Sequence, residues 1–155
     1  MMFVVRIVIV VSGALAFFRK RWAYALFILL SVCYIPARTG FHLQMPRCEG
    51  VPSLGLAVFS LTNYAHIVLF SIFFLMTVMQ FQVRTRAALA CAALATLAMG
   101  TFVELAEGAT RTGNCRLRDL VPDSAAVILG TMVVLASQRA MKWISNVRFS
   151  NRSVT

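Results

Sequence analysis

Long apolar runs, interrupted only by short basic groups, constrain this chain more than any other feature. Arg19-Lys20-Arg21, then Arg84 and Arg86, then Arg139 and Lys142 separate stretches that carry almost no charge. A helix rises about 1.5 Å per residue and the hydrocarbon core of a bilayer is about 30 Å thick, so a crossing takes roughly 20 mostly apolar residues. Three stretches read as such spans: Leu56 to Phe81, Ala87 to Glu104 and Leu120 to Ser137. The chain is 60% hydrophobic and only 13% charged, which excludes an ordinary soluble domain or a disordered tail.

The first fifty residues are cut by Arg19-Lys20-Arg21 into Met1 to Phe18 and Trp22 to Pro36. They read as two helices. The first is short and carries Arg6, so a span, an interfacial helix and an uncleaved anchor are all compatible with it. A cleavable signal peptide fits poorly, because the basic group follows the apolar run instead of preceding it. The expected fold class is therefore all-α, an integral membrane helical bundle, divided into an N-terminal apolar helix (residues 1–18), a transmembrane domain (22–138) and a basic tail (139–155).

Fifteen Lys and Arg against five Asp and Glu give a net charge of +10, which on one soluble face would point to nucleic acid. Here the basic residues sit between spans instead, the pattern that fixes orientation in a membrane, so lipids and not nucleic acid are the expected partners. With Arg19-Lys20-Arg21 cytoplasmic, alternate crossing puts Arg84, Arg86, Arg139, Lys142, Arg148 and Arg152 on the same side. The C-terminus is then expected on the cytoplasmic side of the membrane. Loops Ala37 to Gly55 and Leu105 to Asp119 then face outward.

Cys33 and Cys91 fall inside apolar runs, where a thiol behaves as a small hydrophobe. Cys48 and Cys115 fall in the two outward loops, where an oxidising compartment permits a disulfide between them. Neither has a CxxC partner and the nearest histidine, His42, stands alone, so no metal ligands are assigned to the pair.

Ionisable groups in or beside spans are costly and mark candidate sites. His66 lies about ten residues into the run from Leu56, with Asn63 and Phe70 on its face, and reads either as a hydrogen-bonded packing residue or as part of a site. Glu104 and Glu107, at i and i+3, point to one side of a helix end where negative charge is disfavoured. Two readings stay open: salt bridges with Arg111, Arg116 or Arg118, or a carboxylate site for acid–base chemistry or metal binding. Asp119 precedes the last apolar run as a candidate N-cap, with Pro122 in the first turn. Asp123 faces the same way, just inside the membrane, and needs a partner. The segment from Arg111 to Arg118 is expected to fold its guanidinium groups over these acids, and such a pocket suits a phosphate-bearing headgroup.

No GxSxG, Walker A, HExxH or GxGxxG sequence occurs, so no nucleotide or organic cofactor is indicated. No internal repeat of the transporter kind is visible.

The arrangement resembles the VanZ-like family of small bacterial multi-span membrane proteins. Asn63-Tyr64-Ala65-His66-Ile67-Val68-Leu69-Phe70 is similar to that family's Lys-x-x-His-aromatic segment, with Asn63 where a lysine is usual. Glu104-Leu105-Ala106-Glu107 resembles its Glu-x-x-Gln, and the run from Asp119 through Asp123 and Ala126 to Gly130 resembles its Asp-x-x-x-Asn-x-x-Gly-x-x-x-Gly. Glu107 in place of Gln, Asp123 in place of Asn and Ala126 in place of Gly are departures, and the first two make the site more acidic. The similarity covers about Trp22 to Ser137 and implies a four-span core, with residues 1–18 as an addition. It implies an association with glycopeptide (teicoplanin-type) resistance in a family whose molecular activity is unsettled.

Two functions of different classes follow as expectations. One is a membrane-embedded site that binds or modifies an amphipathic or phosphate-bearing envelope substrate. Arg111, Arg116 or Arg118 would hold the anion, His66 or Glu104 would move a proton, Asp119 would orient the Arg, and Glu107 and Asp123 would line the site. The other is a noncatalytic accessory protein, in a homo-oligomer or docked on an envelope protein partner. A third, an ion-coupled carrier, would require oligomerisation.

Overall fold

The computed structural model describes residues 2–38, 44–46, 48–49, 53–82, 85–110 and 115–152. These form six α-helices: α1 (Met2–Phe17), α2 (Arg21–Arg38), α3 (Leu54–Ser60), α4 (Tyr64–Met79), α5 (Arg86–Thr110) and α6 (Leu120–Arg152), with a 3-10 turn at Leu117–Asp119. The protein is all-helical. Among the described residues there is no strand, only an isolated bridge between Cys48 and Cys115.

Two helices, α5 and α6, are long and apolar enough to cross a bilayer, and α3 with α4 makes a third if the bent pair counts as one. The stretch Leu56 to Phe81, read from the sequence as a span, is broken: its two parts meet at 69°. The cause is local. Ser60 Oγ donates to the Ala57 carbonyl at 2.6 Å and Thr62 Oγ1 to the Phe59 carbonyl at 2.8 Å. Backbone bonds from Leu61 to Val58, Thr62 to Phe59 and Asn63 to Ser60 then close successive tight turns. Hydroxyl side chains that bond back to the chain compete with the helical ladder, and three polar residues in four are enough to end it. The bend moves His66 from the expected depth of a span to the first turn of α4.

Helices α1 and α2 form a hairpin whose turn passes through Arg19 in the left-handed region, at φ 60°, a conformation unusual for a residue with a Cβ. Their apolar parts, Phe3–Phe17 and Arg21–Tyr34, are shorter than the other candidate spans. The turn is tied to the C-terminal end of α4, where Arg19 Nη2 donates to the Phe81 carbonyl at 3.2 Å and Gln80 Nε2 to the Ala16 carbonyl at 2.7 Å. Arg6, the charge that made the first helix ambiguous, donates from Nε to the Tyr34 hydroxyl at 2.6 Å across the hairpin. Beyond α2, the backbone N–H of Gln44 reaches the Ala109 carbonyl near the C-terminal end of α5. Because α4 and α5 run in opposite directions, α2 travels from one end of the bundle toward the other.

Two apolar clusters hold the helices. Phe74 and Val78 of α4, Ala92 of α5 and Val134 of α6 form one; Ala16 of α1 with Phe73 and Met76 of α4 form the other, with Tyr24, Phe27 and Met99 against it. Thr77 spends its hydroxyl proton on the Phe73 carbonyl, so it accepts from the Tyr24 hydroxyl at 2.9 Å, which joins α2 to α4. The outer faces remain apolar: Phe3, Val10, Trp22, Leu69, Leu94 and Met132 are each more than half exposed. An exterior of this kind suits lipid and not water.

Gly130 of α6 packs directly under the Phe74 ring, and any Cβ there would collide with it. Replacing Gly130 by Val is expected to lower stability by about 1–3 kcal/mol through overpacking. Thermal unfolding in detergent checks this, and Phe74→Leu in the same chain should recover part of the loss.

Candidate functional site

The start of α4, the last turns of α5 and the start of α6 lie at one end of the bundle, because successive helices alternate in direction. Each brings polar residues that its own segment cannot satisfy. Asp123 of α6 is fully buried, and its Oδ1 stands 3.0 Å from His66 Nδ1 of α4. A carboxylate in that position makes Nδ1 the protonated ring nitrogen and leaves Nε2 as the free lone pair. The ring also packs against Phe70, with centroids 5.6 Å apart. Asp123 Oδ2 has no hydrogen-bond partner and lies over Gly100 of α5, where any Cβ would displace it. Gly100 therefore lets a carboxylate sit directly against the α5 backbone.

Glu104 is 2% exposed, and its Oε2 accepts from the backbone N–H of Arg116 at 2.7 Å. That donor belongs to the chain just after Cys115, which is joined to Cys48 by a disulfide with Cα atoms 4.4 Å apart. The Glu49 N–H donates to the Cys115 carbonyl at 2.9 Å, so the two loops are clamped together beside the site. Gly108 allows the approach: a Cβ there would stand 2.7 Å from Cys115 Cβ. Free Cys33 and Cys91 are exposed on the apolar exterior.

Asp119 ends the 3-10 turn, with its N–H bonded to the Arg116 carbonyl at 2.8 Å. It is thus part of a helical turn continuous with α6 instead of an extended N-cap, which corrects the capping role expected of it. The turn brings its carboxylate to the other two groups. One ligand atom from each of His66, Glu104 and Asp119 lies within 4.8 Å of the other two.

The remaining candidates sit at the edge. Glu107 is half-buried one turn beyond Glu104 and stands outside this trio. Arg116 and Arg118 do not fold their guanidinium groups over the acids as expected; both approach Glu49, at 4.0 Å from Nε in each case. Those contacts are at the outer limit for an ion pair, and Arg116 Nε has no hydrogen-bond partner. It is the backbone of Arg116, and not its charge, that meets Glu104. Arg111 and His42 lie outside the described residues.

Among the described residues, three carboxyl groups thus surround one imidazole in a largely buried place, with no guanidinium among them. Burial of charge in this ratio requires compensation by protons or by a cation. Sequence reasoning named each of these residues and missed their pairing. It sought an Arg partner for Asp123 and passed over Gly100, whose role shows only once α5 and α6 are in contact.

Compared with family models, curated proteins and solved structures, the chain matches none.

The disulfide fixes a simple expectation. Alkylation of the denatured, unreduced protein should modify two of the four cysteines, Cys33 and Cys91, and reduction should expose the other two, as read by intact mass.

Proposed function

We propose that this chain is a VanZ-like protein of the bacterial inner membrane that binds or modifies an amphipathic, phosphate-bearing envelope substrate at an outward-facing polar site. The observation that carries the reading is the convergence of His66, Glu104 and Asp119 from two helices and a turn at one end of the bundle. Three ligand-type groups from separate elements within 4.8 Å of one another support a binding site there.

Orientation is supported from both ends. The Cys48–Cys115 disulfide lies beside the site, and such bonds persist in oxidising compartments. Arg86 begins α5, about 18 residues before Glu104, and Arg139 follows Asp123 by about 16. At about 1.5 Å per residue these separations are roughly 24–27 Å, close to the thickness of a hydrocarbon core. Arg19 lies at the same far end, beside Phe81. A basic end on the cytoplasmic side and a disulfide-bearing end outside satisfy the positive-inside rule and redox chemistry together. In this arrangement α1 and α2 complete a bundle of five crossings, four of them in the segment that resembles the VanZ-like core, and α6 carries the C-terminus into the cytoplasm.

A lipid-linked substrate reaches such a site from the side, its apolar chain along the exposed faces of the bundle and its headgroup level with Asp119. Arg116 and Arg118 flank the entrance. Their exposed pairing with Glu49 is weak by nature and exchanges readily for a phosphate, which guanidinium groups hold by paired hydrogen bonds.

Native mass spectrometry of the protein in mild detergent, with phosphatidylglycerol or a polyprenyl phosphate added, tests the reading. Wild type and the lipid-facing control Leu94→Ala are expected to retain the lipid, while Glu104→Gln and Asp119→Asn lose at least tenfold in retention with helix content unchanged. Equal retention by all four proteins overturns the site and favours the noncatalytic accessory function.

A further inference from the structure

We infer that His66, Glu104 and Asp119 hold a divalent transition-metal ion of the zinc or manganese type. One imidazole nitrogen and two carboxylate oxygens within 4.8 Å of one another form a set of three protein ligands. Around zinc, ligand atoms at ~2.0–2.2 Å stand roughly 3.4 Å apart in tetrahedral geometry. Closing on an ion therefore asks the side chains to draw in by about an ångström, within the reach of small χ rotations. Three protein ligands leave a further position for water or substrate, the arrangement of reactive metal centres and not of closed structural ones. The imidazole separates this set from an all-oxygen site, which would favour magnesium or calcium.

A second observation, independent of the trio, points the same way. Metal-bound histidines almost always give their other ring N–H to a carboxylate or carbonyl, which sets the tautomer and the direction of the ligating lone pair. With Nε2 as the ligating nitrogen, Asp123 does this for His66: it is completely buried, it lies 3.0 Å from Nδ1, and it can occupy that place only because residue 100 is glycine. The disulfide-clamped backbone of Arg116 orients Glu104 in the same manner, through its hydrogen bond to Oε2. Two of the three ligands thus have outer partners that hold them in place before any ion arrives.

The ion also resolves a contradiction in the substrate reading. A phosphate approaching Glu104, Asp119 and Asp123 meets like charge, and both described arginines of the outer loop face Glu49. A divalent cation among the acids reverses the local field and turns the same residues into an anion site. The ligand set stands on geometry alone; its task of holding a phosphate-bearing substrate rests on the function proposed above.

The test uses the full chain in mild detergent, stripped with chelator and reloaded separately with Zn2+, Mn2+ or Mg2+. Elemental analysis and titration calorimetry should find one Zn2+ or Mn2+ per chain and no comparable retention of Mg2+. Glu104→Gln and Asp119→Asn should each weaken binding at least tenfold, and Asp123→Asn by about 10–100-fold through its outer-partner role. Helix content and the disulfide, read on an unreduced gel, establish that each variant is folded. Wild type that retains no metal above the detergent blank overturns the inference, whatever the variants do, and so does unchanged affinity in folded Glu104→Gln and Asp119→Asn. Phosphatidylglycerol retention measured on the stripped and reloaded protein separates the two proposals. Lipid held by a chain that takes up no metal rejects the cation and keeps the site. Metal held with no lipid in either state keeps the cation and rejects the phosphate-bearing substrate.

Discussion

The structure depends on where a single carboxylate is placed. Asp123 enters the bundle with no exposure at all, directed by its position in the first turn of α6, and two neighbours make this tolerable. His66 on α4 pairs with one oxygen, and Gly100 on α5 gives up its side chain so that the other oxygen can lie against the helix. One residue thereby sets the spacing of three helices at the end of the bundle where apolar contact is thinnest. Toward the middle, Phe74 under Gly130 and the cluster of Val78, Ala92 and Val134 do the same by shape. In lipid there is little hydrophobic drive between helices, so close approach at small residues and a few polar pairs carry the association.

The helices were legible because their cause is local and composed of many residues. The runs behind α1, α2, α5 and α6 all emerge as helices, but α5 continues to Thr110, into the segment read as an outward loop, and α6 continues through the basic segment read as a tail. The bend between α3 and α4 was not legible by the same method. Counting apolar residues treats Ser60, Thr62 and Asn63 as minor interruptions, while the Ser60 and Thr62 hydroxyls and the tight backbone turns through Asn63 decide the geometry. The bend therefore places His66 in the first turn of α4 and not ten residues into a continuous helix. Partnership was the least legible of all. Charge complementarity alone favours Arg for Asp123, and only the packing of α4 on α6 shows that a histidine occupies the place first.

The disulfide and the acidic cluster are parts of one arrangement. The backbone N–H that reaches Glu104 belongs to the residue after Cys115, and the ion pairs of Arg116 and Arg118 go to the residue after Cys48. Closing the two loops therefore determines both which donor meets the buried carboxylate and where the nearby positive charges rest. With the loops joined, the Arg116 and Arg118 guanidinium groups stay at the rim beside Glu49 and leave the interior acids to other partners. A bundle built for stability alone would bring those charges together, since an uncompensated buried acid is costly. The fold instead holds Arg116 and Arg118 aside and supports His66 and Glu104 from behind by Asp123 and a clamped backbone N–H, so the balance of charge among these acids falls to protons held at the site or to a bound cation.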